Sequence, residues 1–178
     1  MRHFVLRASL VSWIALGLCA MGGSVAEAQG VSKGSSGLPL PRFVSLKAKR
    51  VNLRIGPSTD YAVSWLYLKS GLPVEIIQEY ENWRRIRDAD GTEGWVSQTL
   101  LSGERTAVAA PWMRGNDVFV ILRADSQSTA PAVAKLEPGV VIRLEECTGN
   151  WCLAEAGGVT GWVAQAEIWG AYPGEAFK

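Results

Sequence analysis

The sequence predicts an all-β protein built as two tandem small barrels. Three observations carry that expectation. The triplet Gly-Trp-Val occurs twice, at Gly94-Trp95-Val96 and Gly161-Trp162-Val163. Gly71 and Asn82-Trp83 recur at an offset of 68 as Gly139 and Asn150-Trp151, and Leu53-Arg54 recurs at an offset of 69 as Leu122-Arg123. Short apolar runs alternate with Gly, Pro, Asn and Asp breaks, and no stretch sustains a capped helical period. A period near 68 is too long for a solenoid repeat and suits a duplicated small domain.

The elements follow in order. Residues 1–28 read as a secretory signal peptide, with Arg2 and Arg7 before an apolar run and Ala26-Glu27-Ala28 as the cleavage region near Ala28. Leu18 precedes Cys19 where a lipoprotein signal needs a small residue, which argues against lipidation. The export signal predicts a periplasmic or secreted protein, and no later apolar run is long enough to span a membrane. Residues 29–41, rich in Gly, Ser and Pro, read as a flexible tether. The first unit is expected over 42–103, with strand signals at 51–53, 74–77 and 83–87. Residues 101–111 read as the connection. The second unit is expected over 111–170, with strands at 118–122, 140–144, 151–154 and 160–163. Residues 171–178 form a tail, anchored in part near Trp169. Each unit is small enough to be marginally stable, a problem that tryptophans in the core or packing of the two units together would ease.

Composition excludes several chemistries. The only histidine is His3, inside the signal. The exported chain has no imidazole, so a Ser-His-Asp triad, a Cys-His pair and a His-ligated zinc are all excluded. Lys and Arg fall from 18 to 16 without Arg2 and Arg7, and Asp and Glu from 17 to 16 without Glu27. A net charge of zero steers the chain toward neither nucleic acid nor an anionic membrane. Locally the first unit carries 9 Lys and Arg against 7 acids over 42–103, and the second 4 against 7 over 111–170. These opposite signs suit units that face each other, or a solvated surface. A carboxylate-only glycosidase would need a deep cleft, which two small barrels do not predict. No catalytic residue, metal or cofactor is assigned.

The residues 51–54 (Val-Asn-Leu-Arg), Gly56-Pro57-Ser58, Gly71, Asn82-Trp83 and Gly91-Thr92-Glu93-Gly94-Trp95-Val96 together resemble the bacterial SH3-like domain. The second unit looks like a degenerate copy. Leu122-Arg123, Gly139, Trp151 and Gly161-Trp162-Val163 remain, while Ile121 replaces the Asn and Ala124-Asp125-Ser126 replaces the Gly-Pro-Ser. The whole is similar to exported two-copy SH3-like proteins of alphaproteobacteria. The resemblance implies a five-stranded barrel per unit with a long first loop. It implies a non-catalytic binding module whose partners are peptidoglycan stem peptides or periplasmic proteins. The polyproline groove of eukaryotic SH3 domains is not carried over, because Ser97 and Leu100 stand where its Pro and Tyr would be.

Four residues of the first unit are candidate ligand contacts. Trp83 lies three residues before Ile86, so a core Ile86 turns Trp83 outward, as a ligand platform or as a lid on the barrel edge. Tyr61 sits in the long loop, where it contacts ligand or packs the loop down. Asn52 bonds loop backbone or ligand. Arg54 grips a ligand carboxylate or pairs Asp60 or Glu93. Trp151 is expected to be a lid, and Trp95 and Trp162 to pack structurally in the core or rim. Arg84, Arg85 and Arg87 read as a basic strand. A purely structural scaffold of an envelope complex is the alternative to ligand binding.

Cys147 and Cys152 are expected to form a disulfide. Thr148-Gly149-Asn150 between them reads as a turn, which sets the cysteines on paired antiparallel strands of an exported chain. A metal site lacks further ligands, and a redox pair usually has closer spacing. The aligned positions of the first unit, Glu79 and Arg84, predict an exposed ion pair across the same two strands.

Overall fold

The computed structural model describes residues 32–115 and 117–178. The predicted signal peptide and Cys19 lie outside the described residues. A hairpin comes first, β1 (Ser32–Lys33) with β2 (Pro39–Leu40). The first barrel follows: β3 (Arg42–Leu46), β4 (Val51–Arg54), β5 (Val63–Tyr67), β6 (Pro73–Tyr80), β7 (Trp83–Arg87), β8 (Glu93–Ser97) and β9 (Leu101–Ser102). The second comprises β10 (Thr106–Ala109), β11 (Val120–Arg123), β12 (Ala132–Leu136), β13 (Val141–Thr148), β14 (Trp151–Ala156), β15 (Val159–Ala164), β16 (Ile168–Trp169) and β17 (Ala176–Phe177).

The strand orders are the same: β5-β4-β8-β7-β6-β3-β9 and β12-β11-β15-β14-β13-β10-β16, with β17 added beside β13. The five strands expected of each unit are β4–β8 and β11–β15. Each barrel adds one strand before them and a two-residue strand after. Among the described residues the helical segments are 3-10 turns of three residues, and no helix is long and apolar enough to cross a membrane.

Period-two burial explains the pairing. Val51 and Leu53 are buried while Asn52 and Arg54 alternate outward; Val120 and Leu122 repeat the pattern in the second barrel. The cores are mainly aliphatic, with Tyr67 the one aromatic ring buried within the first. One gathers Leu46, Val51, Leu53, Val74, Ile76, Ile86 and Val96; the other centres on Val120, Leu122, Ile142, Leu144 and Val163. No tryptophan of the described residues lies in either core. A barrel this narrow fills with branched aliphatic side chains, and the indoles lie outside.

Two glycines explain the repeated Gly-Trp-Val. A Cβ at Gly94 would stand 2.6 Å from Leu53 Cγ and 2.9 Å from the Arg54 carbonyl. One at Gly161 would stand 2.7 Å from Val133 Cγ2 and 3.0 Å from the Arg123 carbonyl. Each glycine lets the last long strand approach the first and close the barrel.

Three expectations need correction. Residues from Ser32 of the tether are folded: Ser35 and Ser36 donate to the Glu79 carboxylate, with Ser36 N at 2.7 Å. Low apolar content gave no signal of this order, because polar bonds supply it. Part of the supposed connection is strand β10, so the link shrinks to Gly103–Arg105; one threonine and three small apolar residues at 106–109 form a wholly buried strand. The tail is tied down by β17, by Arg105 on Glu175 at 2.8 Å, and by Arg105 stacked 4.2 Å from the centre of the Phe177 ring.

The barrels pack against each other through aromatics. Phe43 meets Trp169 edge-on at 4.9 Å and Tyr172 at 4.7 Å, and Tyr172 Oη donates to Glu75 Oε1 at 2.8 Å. The net-charge argument does not describe this contact. The Arg114–Asp90 pair places the cation on the second barrel and the anion on the first, against the net signs.

Candidate ligand-binding face

Three strands of the first barrel build the candidate face. Arg54 on β4 stands opposite Trp95 on β8, and Trp95 stands opposite Arg85 on β7. Trp83 stands opposite Ser97 one step along, and Asn52 is the next outward residue after Arg54 on β4. Neighbouring strands lie about 4.8 Å apart, and same-face residues about 7 Å apart along a strand. Arg54, Trp95, Arg85, Trp83 and Asn52 therefore share one patch. Ile86 is fully buried and Trp83 half-buried, as their opposite facing requires.

Arg54 pairs with neither Asp60 nor Glu93. Its Nη1 donates to the carbonyls of Thr59 at 2.9 Å and Tyr61 at 2.6 Å. It positions the long loop, since two unpaired loop carbonyls are stronger local partners for a guanidinium than exposed acids. Arg123 does the same in the second barrel, donating to the Ala130 carbonyl at 2.9 Å. Tyr61 packs its ring on Gly56, where a Cβ would lie 2.6 Å from ring atoms, yet remains 47% exposed. That contact explains the glycine of the Gly56-Pro57-Ser58 loop. Asn52 is exposed and makes no side-chain hydrogen bond among the described residues.

Trp95 and Trp162 face outward rather than into the core. Gly94 and Val96 are both buried, so the residue between them must point the other way; the same holds at Gly161 and Val163. That signal was present in the triplet itself. Arg85 also belongs to the face and donates to Glu93 Oε2 at 2.9 Å. The basic strand is thus neutralised: Arg87 pairs with Glu75 at 2.6 Å, and Arg84 turns inward.

The second barrel has the same face in apolar form. Arg123 stands opposite Trp162, Trp162 opposite Leu153, and Trp151 opposite Ala164. Leu153 replaces Arg85, Ala164 replaces Ser97, Ile121 replaces Asn52, and Ala130 replaces Tyr61.

Cys147 and Cys152 form the expected disulfide, with Cα atoms 4.1 Å apart, slightly closer than the usual range of about 4.4–6.8 Å. Glu79 and Arg84 face each other at the equivalent rung, Nε to Oε1 at 3.4 Å. This pair is buried, not exposed, with side chains 1% and 8% accessible. The hairpin covers it, and Arg42 also pairs with Glu79 at 2.6 Å. Burial opposes ionisation of Glu79. The Ser36 N–H and hydroxyl, Arg42 and the Ser35 hydroxyl outweigh it and lower the pKa to about 2. No group of three or more His, Cys, Asp or Glu able to hold a metal occurs among the described residues.

No curated protein matches the chain. Among solved structures it is similar to NlpC2 from Trichomonas vaginalis, at 8% identity and a TM-score of 0.33, covering 72% of this chain and 48% of that one. It is similar also to NlpC1 from the same organism, at 10% identity and a TM-score of 0.31, covering 76% and 48%. The chain spans about half the length of each, and likenesses this weak carry no argument. The model of the bacterial SH3 domain matches residues 47–103 and 116–170, one copy on each barrel. Matched twice and over more than half its length, the chain belongs to the bacterial SH3 domain family.

Proposed function

We propose that the protein is a non-catalytic binding protein of the cell envelope. Membership of its family indicates a cell-wall or peptide-binding role. The first barrel holds a short peptide on its outer face, either a peptidoglycan stem or a segment of a periplasmic protein. The observation that carries this reading is the in-register row Arg54–Trp95–Arg85 with Trp83 beside it. Two indoles give flat apolar area, and Asn52 with the remaining N–H groups of Arg54 and Arg85 gives donors toward peptide carbonyls. The loop beside this face is pre-ordered by Arg54 and Gly56, so less ordering entropy opposes binding.

Co-sedimentation with purified sacculi tests the reading. The protein is expected in the pellet, and Trp83→Ala is expected to weaken retention about tenfold, as loss of an aromatic anchor does. Trp151→Ala is expected to have less effect, because its face lacks the polar partners. Absence of the unmodified protein from the pellet favours an assembly scaffold with no cell-wall ligand. Loss of binding with Trp151→Ala alone would move the site to the second barrel.

A further inference from the structure

A groove between the barrels runs on either side of the turn that carries Asp88 and Ala89. One cavity, of about 450 Å³, includes Phe43, Trp112, Trp169 and Tyr172 in its wall. The other, of about 370 Å³, includes Trp65, Tyr67 and Arg114. Asp88 and Ala89 line both, and both volumes fall within the ligand-pocket range of roughly 300–1,000 Å³.

Each cavity holds one open indole. Trp65 is 57% exposed and Trp112 56%. The barrel does not need Trp65 for closure. Trp65 stands opposite Leu53, and the second barrel closes with Ala134 opposite Leu122. Trp112 rides on a 3-10 turn that follows Ala110, held at φ 30°, ψ 59°. That left-handed conformation is unfavourable for alanine, and such strain gathers at functional sites. Ala110 is buried and its N–H donates to the Glu167 carbonyl at 2.8 Å, so the surroundings enforce the strained turn that carries Trp112.

The walls offer hydrogen-bond acceptors, and one of them, the Asp88 carboxylate, has no cation beside it among the described residues. Glu75 accepts from Arg87 and from Tyr172 Oη. Asp88 accepts from Tyr67 Oη and from the N–H groups of Asp90 and Thr92. Asp90 is paired with Arg114. An anionic ligand would meet the Asp88 carboxylate and would have to break one of the ion pairs to reach a cation. Acceptor capacity remains, since Asp90 accepts only one side-chain bond among the described residues and a carboxylate offers about four lone-pair sites. Gln165 contributes to the wall of the larger cavity, but its Oε1, without a partner among the described residues, is buried away from a ligand there. Its Nε2 donates to the Tyr172 and Glu175 carbonyls, which fixes which end is oxygen.

Open indole faces beside spare carboxylate acceptors disfavour an anionic ligand and suit one that carries hydroxyl donors and a flat C–H surface. We propose that this groove is a second binding site, for a short neutral saccharide, with one sugar ring against Trp112 and another against Trp65. The proposal does not rest on the peptide face.

Titration of the exported protein with chitotriose and with cellotriose, followed by indole N–H resonances, tests it. With at least one sugar at millimolar concentration, the Trp65 and Trp112 signals should shift while the Trp83 signal stays. Trp112→Ala should weaken that binding about tenfold, and Trp83→Ala should leave it unchanged. Trp112→Phe, which keeps a ring, should retain part of it. If neither sugar moves Trp65 or Trp112, the proposal fails. It fails too if a charged tripeptide moves them and the sugars do not, or if sugar affinity follows Trp83.

Discussion

In the first barrel Glu79 and Arg84 face each other across β6 and β7; in the second, Cys147 and Cys152 face each other across β13 and β14. The rung is the same, and its chemistry decides what else can attach there. A disulfide joins two residues and has no further valence. The Glu79 carboxylate accepts from Ser35, Ser36 and Arg42, so the non-covalent rung also latches the N-terminal hairpin. In the second barrel the covering segment is β17, held to Cys147 and Thr148 by backbone pairing instead. The exchange propagates one residue further. Gln98 Oε1 accepts from Arg84 at 2.6 Å. Cys152 supplies no such donor, and Gln165 turns its amide to the Tyr172 and Glu175 carbonyls of the tail. The hairpin β1–β2 and the strand β17 thus cover equivalent strands, one through side chains and the other through backbone.

Glu79→Ala should destabilise the first barrel most severely. It leaves Arg84 buried without its carboxylate and frees the hairpin. Removing one partner of a buried ionic network costs roughly 3–5 kcal/mol. Denaturant unfolding should show that loss, and protease should reach the hairpin. A loss below about 1 kcal/mol would mean that the pair behaves like an exposed one.

Acid should separate the barrels next. The pKa of Glu79 is lowered to about 2 in the folded protein, below the usual glutamate value near 4.3. A depressed carboxylate contributes fully above its ordinary pKa and loses that contribution as pH falls through the folded value. Stability should therefore decline between about pH 5 and pH 2. Glu175 is lowered as well: burial raises its pKa, and Arg105 and the Tyr172 N–H outweigh that effect. Comparison with Glu79→Gln isolates the first-barrel share. Equal acid sensitivity in both proteins would remove Glu79 from the account.

Loss of the disulfide should cost less. The closed loop is short, and chain entropy gives about 2 kcal/mol. Cys147→Ala/Cys152→Ala should lower the denaturation midpoint accordingly and leave the hairpin of the first barrel protected. An unchanged midpoint would mean that strand pairing alone suffices at this rung.

Much of this was legible in the chain. The 68-residue offset placed Glu79 and Arg84 opposite each other, because aligned copies share register. The burial of that pair was not legible, because it depends on a hairpin whose order comes from serine hydroxyls on one distant carboxylate. Trp83 was read as outward from its spacing to Ile86, and the same rule applied to Gly94 and Val96 would have turned Trp95 outward. The sequence offers Asp60 and Glu93 as protein partners of Arg54, and its side chain bonds two loop carbonyls instead, because a loop carbonyl leaves no trace in the sequence. Nothing in the sequence sets Trp65 and Trp112 apart. One lies on an edge strand and the other on a connection, and only the packing of the barrels brings cavities beside them.

The smallest effect should come from Arg114 and Asp90, the ion pair between the barrels. Nη1 lies 2.7 Å from Oδ1, but the side chains are 45% and 61% exposed. Water and salt screen such a pair, and its net contribution is roughly 0–1 kcal/mol. The aromatic contact of Phe43 with Trp169 and Tyr172, and the Tyr172 bond to Glu75, lie in a more buried setting. They should keep the barrels together without the pair. Arg114→Ala is therefore expected to change the unfolding midpoint little, to leave unfolding a single transition, and to be insensitive to added salt. Two separate transitions in Arg114→Ala would show that the exposed pair holds the barrels together, and that the aromatic contact is only a consequence of their proximity.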